Sequence, residues 1–350
     1  MMPDARNFIF TLIIALAGGW LFQFFNMPAP YLLGSLSMTW ILGHLINPVI
    51  FKPTIQRWFQ ITILVCMSVL IGGAFSPSII NLASQWAVTV ISMIFTTVIA
   101  TLAGYTYLSK ARNYDHNLAI LCSLPGGQAE IVALSSGLVE KDYVVVFCHL
   151  VRVTMVFCFT PLILAFVKGE QGIADSYVAL DNLSGLADLP IQTIVQFLAI
   201  AIIGYGLSRL IRLPMPHLLG PMLLSGGLHI SGYVDIPRVS ELVILAQITV
   251  AGAIGARLSQ VKVAELSSYF KDAFVNSTLI ICIYCLAALV LAKLGYAGFI
   301  QMLLAYIPGG LYEVSLLALI FGYDLAFVAF HHSVRFILIF TSLPFLIKKG

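Results

Sequence analysis

The chain has 350 residues, of which 60% are hydrophobic and only 9% charged, with a mean hydropathy of +1.00. About a quarter of the residues of a soluble domain are charged. So little polar surface cannot cover so much apolar side chain, which excludes a soluble fold and makes the bilayer the solvent. The formal net charge of +3 is too small for a nucleic-acid-binding surface.

Apolar runs recur at about 17–25 residues, the length that spans a hydrocarbon core about 30 Å thick. Twelve are legible. The first half holds 8–25, 29–46, 57–75, 84–108, 117–139 and 143–167; the second holds 190–208, 214–232, 240–257, 272–293, 298–321 and 325–346. The first run follows Arg6, is long for a signal peptide and is followed by no small-x-small cleavage site, so it reads as a retained membrane helix. Between the halves lies the linker 169–189, with Glu170, Asp175, Asp181 and Asp188 and no Lys or Arg. The expected organisation is a first membrane repeat at 1–168, this acidic linker, and a second membrane repeat at 190–350. The six cysteines all lie in apolar runs, so no disulfide framework is expected. Cys282 and Cys285 have C-x-x-C spacing but no second Cys or His pair nearby, and they read as ordinary membrane-helix cysteines.

The halves repeat one another. Pro28, Pro30, Leu32, Leu33 and Gly34 match Pro214, Pro216, Leu218, Leu219 and Gly220. Pro125-Gly126-Gly127-x-x-Glu130 matches Pro308-Gly309-Gly310-x-x-Glu313. His149-x-x-Arg152 and His332-x-x-Arg335 then follow at one spacing, and Pro161 and Pro344 at another. A long pattern repeated without a gap is the mark of a duplication.

Lys and Arg concentrate on the cytoplasmic side of membrane proteins. With Arg152 and Arg335 set aside as intramembrane, twelve alternating crossings place ten Lys/Arg inside and six outside. If each Pro-Gly-Gly segment enters and leaves on one side, thirteen fall inside and three (Lys168, Arg238 and Lys293) outside. The expected fold is therefore an all-α membrane protein of two inverted repeats. Each has about five crossings plus one broken or re-entrant segment, with both termini cytoplasmic.

Proline removes an amide donor and paired glycines disfavour helix, so Pro125-Gly126-Gly127 and Pro308-Gly309-Gly310 interrupt their segments. Lipid cannot satisfy the freed backbone groups, so each break must face protein or a water-filled cavity. Broken helices in inverted repeats commonly hold the substrate or ions of secondary transporters. A close-packing site or simple kink is the plainer alternative. Glu130 and Glu313 fall in the first turn of the restarting helix, where they could cap it or form a proton or cation site. His149 shares a helix face with Arg152, and His332 with Arg335. An intramembrane Arg is costly and calls for a partner. A Glu–Arg clasp and a ligand site both remain open, and the histidines read either as proton carriers or as donors to backbone carbonyls. His331 beside His332 does not form a metal pair, because adjacent helical residues point apart. These twelve residues (two Pro, four Gly, two Glu, two His, two Arg) are the substrate- or ion-binding candidates. No catalytic residue, metal site or cofactor is expected.

The Pro-Gly-Gly segments with their trailing Arg, and the Pro-x-Pro-x-Leu-Leu-Gly segments, resemble the AbrB-duplication family of bacterial membrane proteins over nearly the whole chain. That family also carries the older label ammonia monooxygenase, and some members are described as regulators of gene expression. It is distinct from the soluble DNA-binding family of the same name. The resemblance implies Pro125, Gly126, Gly127, Arg152, Pro308, Gly309, Gly310 and Arg335 as signature positions, and Gln as the common residue where this chain has His149 and His332. It implies no substrate. The expected function is a secondary transporter of a small solute, with proton coupling. A membrane-embedded regulator is the alternative, and a copper monooxygenase is disfavoured for want of nitrogen ligands. The expected partners are the lipid bilayer of the inner membrane, an unidentified small solute or ion, protons, and a second copy of the chain as a homodimer. No nucleic acid is expected.

Overall fold

The computed structural model is helical throughout. It describes residues 2–347 apart from 48–49, 78, 127–130, 133–134, 136, 170–173, 175–176, 179 and 262. Thirteen α-helices stand among the described residues: α1 (Met2–Phe24), α2 (Pro30–Leu45), α3 (Arg57–Gly72), α4 (Ile79–Thr106), α5 (His116–Ser123), α6 (Asp142–Lys168), α7 (Ile191–Leu210), α8 (Pro216–Ile230), α9 (Ser240–Ser259), α10 (Val263–Lys293), α11 (Phe299–Tyr306), α12 (Leu311–Ile320) and α13 (Leu325–Leu346). A π-helical turn at Tyr107–Ala111 extends α4. The described residues contain no strand, only an isolated bridge from Ser184 to Val239.

Seven helices (α1, α4, α6, α7, α9, α10 and α13) are long and apolar enough to cross a membrane. Helices α2, α3 and α8 have 16, 16 and 15 residues, about 23 Å at 1.5 Å per residue. The segments read as broken are the ones that are not single helices. Several helices outrun their apolar runs: α10 starts at Val263, well ahead of 272, and α1 at Met2. Apolar content marks what lipid and core cover, whereas Ser, Lys and Asp prolong a helix once it has started.

The chain divides into two compact units, each drawing on both halves of the sequence. The first comprises Met1–Leu82, Pro161–Val261 and Ser315–Ala326; the second comprises Ala83–Thr160, Lys262–Val314 and Phe327–Gly350.

In the first unit the two Pro-x-Pro-x-Leu-Leu-Gly motifs build the same corner. Asn26 and Ala29 have φ of 51° and 48°, and Arg212 and Met215 have 56° and 47°. Pro30 and Pro216 then open α2 and α8, where a missing N–H costs nothing. Gly34 lies against the backbone of Gly18, and Gly220 against that of Gly204, so the motif glycines let α2 reach α1 and α8 reach α7. Ser225 donates to the Val69 carbonyl at 2.8 Å, tying α8 to α3.

Contacts at segment ends bear on the number of crossings. In the first unit Tyr177 donates its hydroxyl to the Met27 carbonyl at 3.1 Å, and Gln260 donates its amide to the Pro53 carbonyl at 2.9 Å. The Lys168 ammonium lies 4.7 Å from the Tyr323 ring centre. In the second unit Arg112 pairs with Asp272 at 2.5 Å. Twelve alternating crossings would set the members of each pair on opposite sides of the bilayer. Ten crossings with two broken segments set them on the same side, and the contacts favour that count.

Candidate functional site

The second unit holds both breaks. Helix α5 stops at Ser123 because Pro125 follows, and Leu124 before it takes the extended backbone that a following proline requires (φ −64°, ψ 124°). Helix α11 stops at Tyr306 in the same way, with Ile307 at φ −52°, ψ 136° ahead of Pro308. Helix α12 begins at Leu311.

A helical carbonyl is satisfied by the amide four residues on. At Leu121 and Leu304 that residue is a proline, which has no N–H. Each orphaned carbonyl finds a histidine instead. His149 Nε2 lies 2.9 Å from the Leu121 oxygen and His332 Nε2 lies 2.9 Å from the Leu304 oxygen, 28 residues apart in sequence in both halves. The other ring nitrogen of each meets arginine: Arg152 Nη2 is 2.7 Å from His149 Nδ1, and Arg335 Nη2 is 2.7 Å from His332 Nδ1. A carbonyl only accepts and a guanidinium only donates, so these partners fix the neutral Nε2–H tautomer. The geometry favours carbonyl donors over proton carriers.

The arginines finish the caps unequally. Arg335, 2% exposed, donates from Nη1 to the Tyr306 and Ile307 carbonyls at 2.8 and 3.1 Å, and from Nη2 to the Gly309 carbonyl at 3.1 Å. Its guanidinium carbon also lies 5.5 Å from the ring centre of Tyr284, a cation–π contact. Arg152, 1% exposed, makes both of its hydrogen bonds through Nη2, to His149 and, at 2.6 Å, to the Leu124 carbonyl. Its Nε and Nη1 are buried without a hydrogen-bond partner among the described residues.

The two breaks converge on Arg335. Gly126 has φ +131°, and a Cβ there would sit 3.7 Å from Arg335 Nε and 3.6 Å from Ile339. Arg335 thus touches the Gly309 carbonyl of one break and flanks Gly126 of the other. At Gly309 a Cβ would meet Val314 at 2.6 Å and Val156 of α6 at 3.2 Å. Glu313 folds its carboxylate back over Gly310, where the start of α12 favours negative charge. Gly127 and Glu130 lie outside the described residues.

Of the sequence candidates, the structure brings together Pro125, Gly126, His149 and Arg152 around one break, and Pro308, Gly309, Gly310, Glu313, His332 and Arg335 around the other. Sequence reasoning missed Tyr284, which is fully buried, lies against Arg335 and donates to Thr97 Oγ1 at 2.8 Å. A lone tyrosine inside an apolar span was the available signal. His331 faces away from any metal role, with Nδ1 2.8 Å from the Phe327 carbonyl and Nε2 2.9 Å from Thr89 Oγ1.

The family profile described as "Transition state regulatory protein AbrB" matches residues 40–349. The chain belongs to the AbrB family. The match takes in both breaks and both His-x-x-Arg pairs. The chain is also similar to the "Uncharacterized protein YhjN" of Bacillus subtilis (strain 168), 21% identical over 352 residues that cover 96% of this chain and 91% of the relative.

Proposed function

We propose that this AbrB-family protein is a secondary transporter of a small solute in the bacterial inner membrane, with both termini cytoplasmic and the halves as inverted repeats. The observation that carries the reading is the convergence of two proline-broken helices on one buried arginine, Arg335. Backbone interrupted at membrane depth is tolerated where it is packed in protein or lines a solute path. Two interruptions meeting at a charged centre are more than packing requires. Glu130 and Glu313, each following its Pro-Gly-Gly in sequence, are the proton-coupling candidates.

Purified protein in liposomes, screened for solute uptake with and without a pH gradient, tests this. Uptake driven by the gradient is expected. The Glu130→Gln, Glu313→Gln pair is expected to keep the fold and lose the gradient's effect. A gradient effect that survives the pair removes the carboxylates from the coupling.

The family description favours one other reading, a membrane-embedded regulator. It expects a ligand to shift thermal stability with no flux of that ligand in the same liposomes.

A further inference from the structure

Arg152 is the anomaly of the second unit. Arginine is charged at all working pH values and carries five N–H donors. Here Nη2 is the nitrogen in use, so the N–H of Nε and the pair on Nη1 are buried without acceptors among the described residues. Each buried donor left unmade is costly, more so on a charged group. The equivalent Arg335 is better served, because three carbonyls of its break engage both its terminal nitrogens. Among its described residues the first break gives Arg152 one carbonyl, Leu124.

The second guanidinium worsens the imbalance, because Arg335 lies against Gly126 of the break that Arg152 caps. Two like charges in a low-dielectric interior repel strongly unless something negative joins them. The helix start at the second break is not what would draw an anion, since the Glu313 carboxylate already covers Gly310. What is unspent is the donor set of Arg152.

We propose that Arg152 binds the negative group of the solute and that this solute is a small oxyanion. The shared chemistry is a charge-delocalised oxygen acceptor, as in a carboxylate or an inorganic oxyanion such as sulfate or phosphate. Arg335 positions the breaks, with the Tyr284 ring against it. The proposal names the substrate class of the transport reading and rests on it.

The test is thermal unfolding of the purified full chain with sodium formate, acetate, succinate, sulfate or phosphate. Sodium chloride at matched ionic strength is the baseline, and methylammonium chloride the cationic comparison. A saturable rise of the unfolding midpoint with at least one oxyanion is expected, as for any ligand that binds only the folded state. Carboxylate and inorganic arms tell the two sources apart. Arg152→Gln should abolish the rise. If that variant does not fold, Arg152→Lys keeps the charge and should weaken apparent affinity at least about tenfold, because an ammonium offers a different donor geometry. No rise with any oxyanion overturns the proposal, and so does a rise that survives in Arg152→Gln. Uptake of a cationic or neutral solute without oxyanion binding sinks the oxyanion class and leaves transport standing. Oxyanion binding without flux does the reverse.

Discussion

Each intramembrane histidine offers one donor and one acceptor. The amide of glutamine offers the same pair on a side chain of similar reach, a physical reason for the glutamine that the family resemblance implies at these positions. His149→Gln and His332→Gln are expected to leave the unfolding midpoint and its pH dependence close to those of the parent. His332→Leu removes the donor to Leu304 and the acceptor for Arg335 together, with about 1–3 kcal/mol lost for each buried group left unpaired. Thermal unfolding of the three variants checks the ordering, and glutamine as damaging as leucine would contradict it. The arginines should likewise differ. Arg335→Leu strands three carbonyls and should prevent folding or lower the midpoint severely, whereas Arg152→Leu strands one carbonyl, Leu124. Sequence marked these four residues because charge and imidazole are rare in apolar runs. It left carbonyl donation by the histidines as one of two readings, since which side chain reaches the carbonyl that each proline orphans depends on how α6 lies along α5 and α13 along α11. Tyr284 escaped for the same reason.

At the scale of elements, the breaks were plain in the sequence, because Pro-Gly-Gly is locally incompatible with helix whatever surrounds it. The corner before α2 and α8 was visible as a repeated motif, though not its left-handed residues, which are uncommon for Ala and Met. Helix starts were the least legible feature, as α10 shows. Gly126 holds a φ of +131° that glycine adopts freely and side chains rarely do, so Gly126→Ala is expected to cost of order 1–3 kcal/mol. Gly309→Ala meets the Val314 side chain instead of a forbidden φ, so Gly309→Ala with Val314→Ala should recover most of the loss. A double-mutant cycle read by thermal unfolding decides this, and independent, additive losses would refute the collision.

For the whole molecule, both units interleave the two halves, an arrangement that linear reading of apolar runs does not reveal. The charge count pointed to ten crossings, and the contacts of Tyr177, Gln260, Lys168 and Arg112 favour the same number. The proposed cytoplasmic face rests on the positive-inside rule. Single cysteines at positions 178 and 349, in a variant lacking the native six, should be labelled by a membrane-impermeant thiol reagent from outside at 178 only. Outside labelling at 349 and none at 178 would reverse the orientation.

The pairing of Leu121 with His149 also sets an order of events during synthesis. When the first broken segment leaves the ribosome, the donor that its proline lacks lies 28 residues behind, still untranslated or inside the exit tunnel. Until α6 arrives, that carbonyl has only water, the translocon or a neighbouring lipid headgroup for company, and lipid tails cannot serve. The segment therefore cannot settle into the bilayer by itself and must wait beside the insertion machinery for the helix that completes it. A nascent chain stalled once Leu121 has left the exit tunnel but His149 has not should stay crosslinkable to the translocon, and one stalled after all of α6 has emerged should be released. The second half repeats the delay with Leu304 and His332.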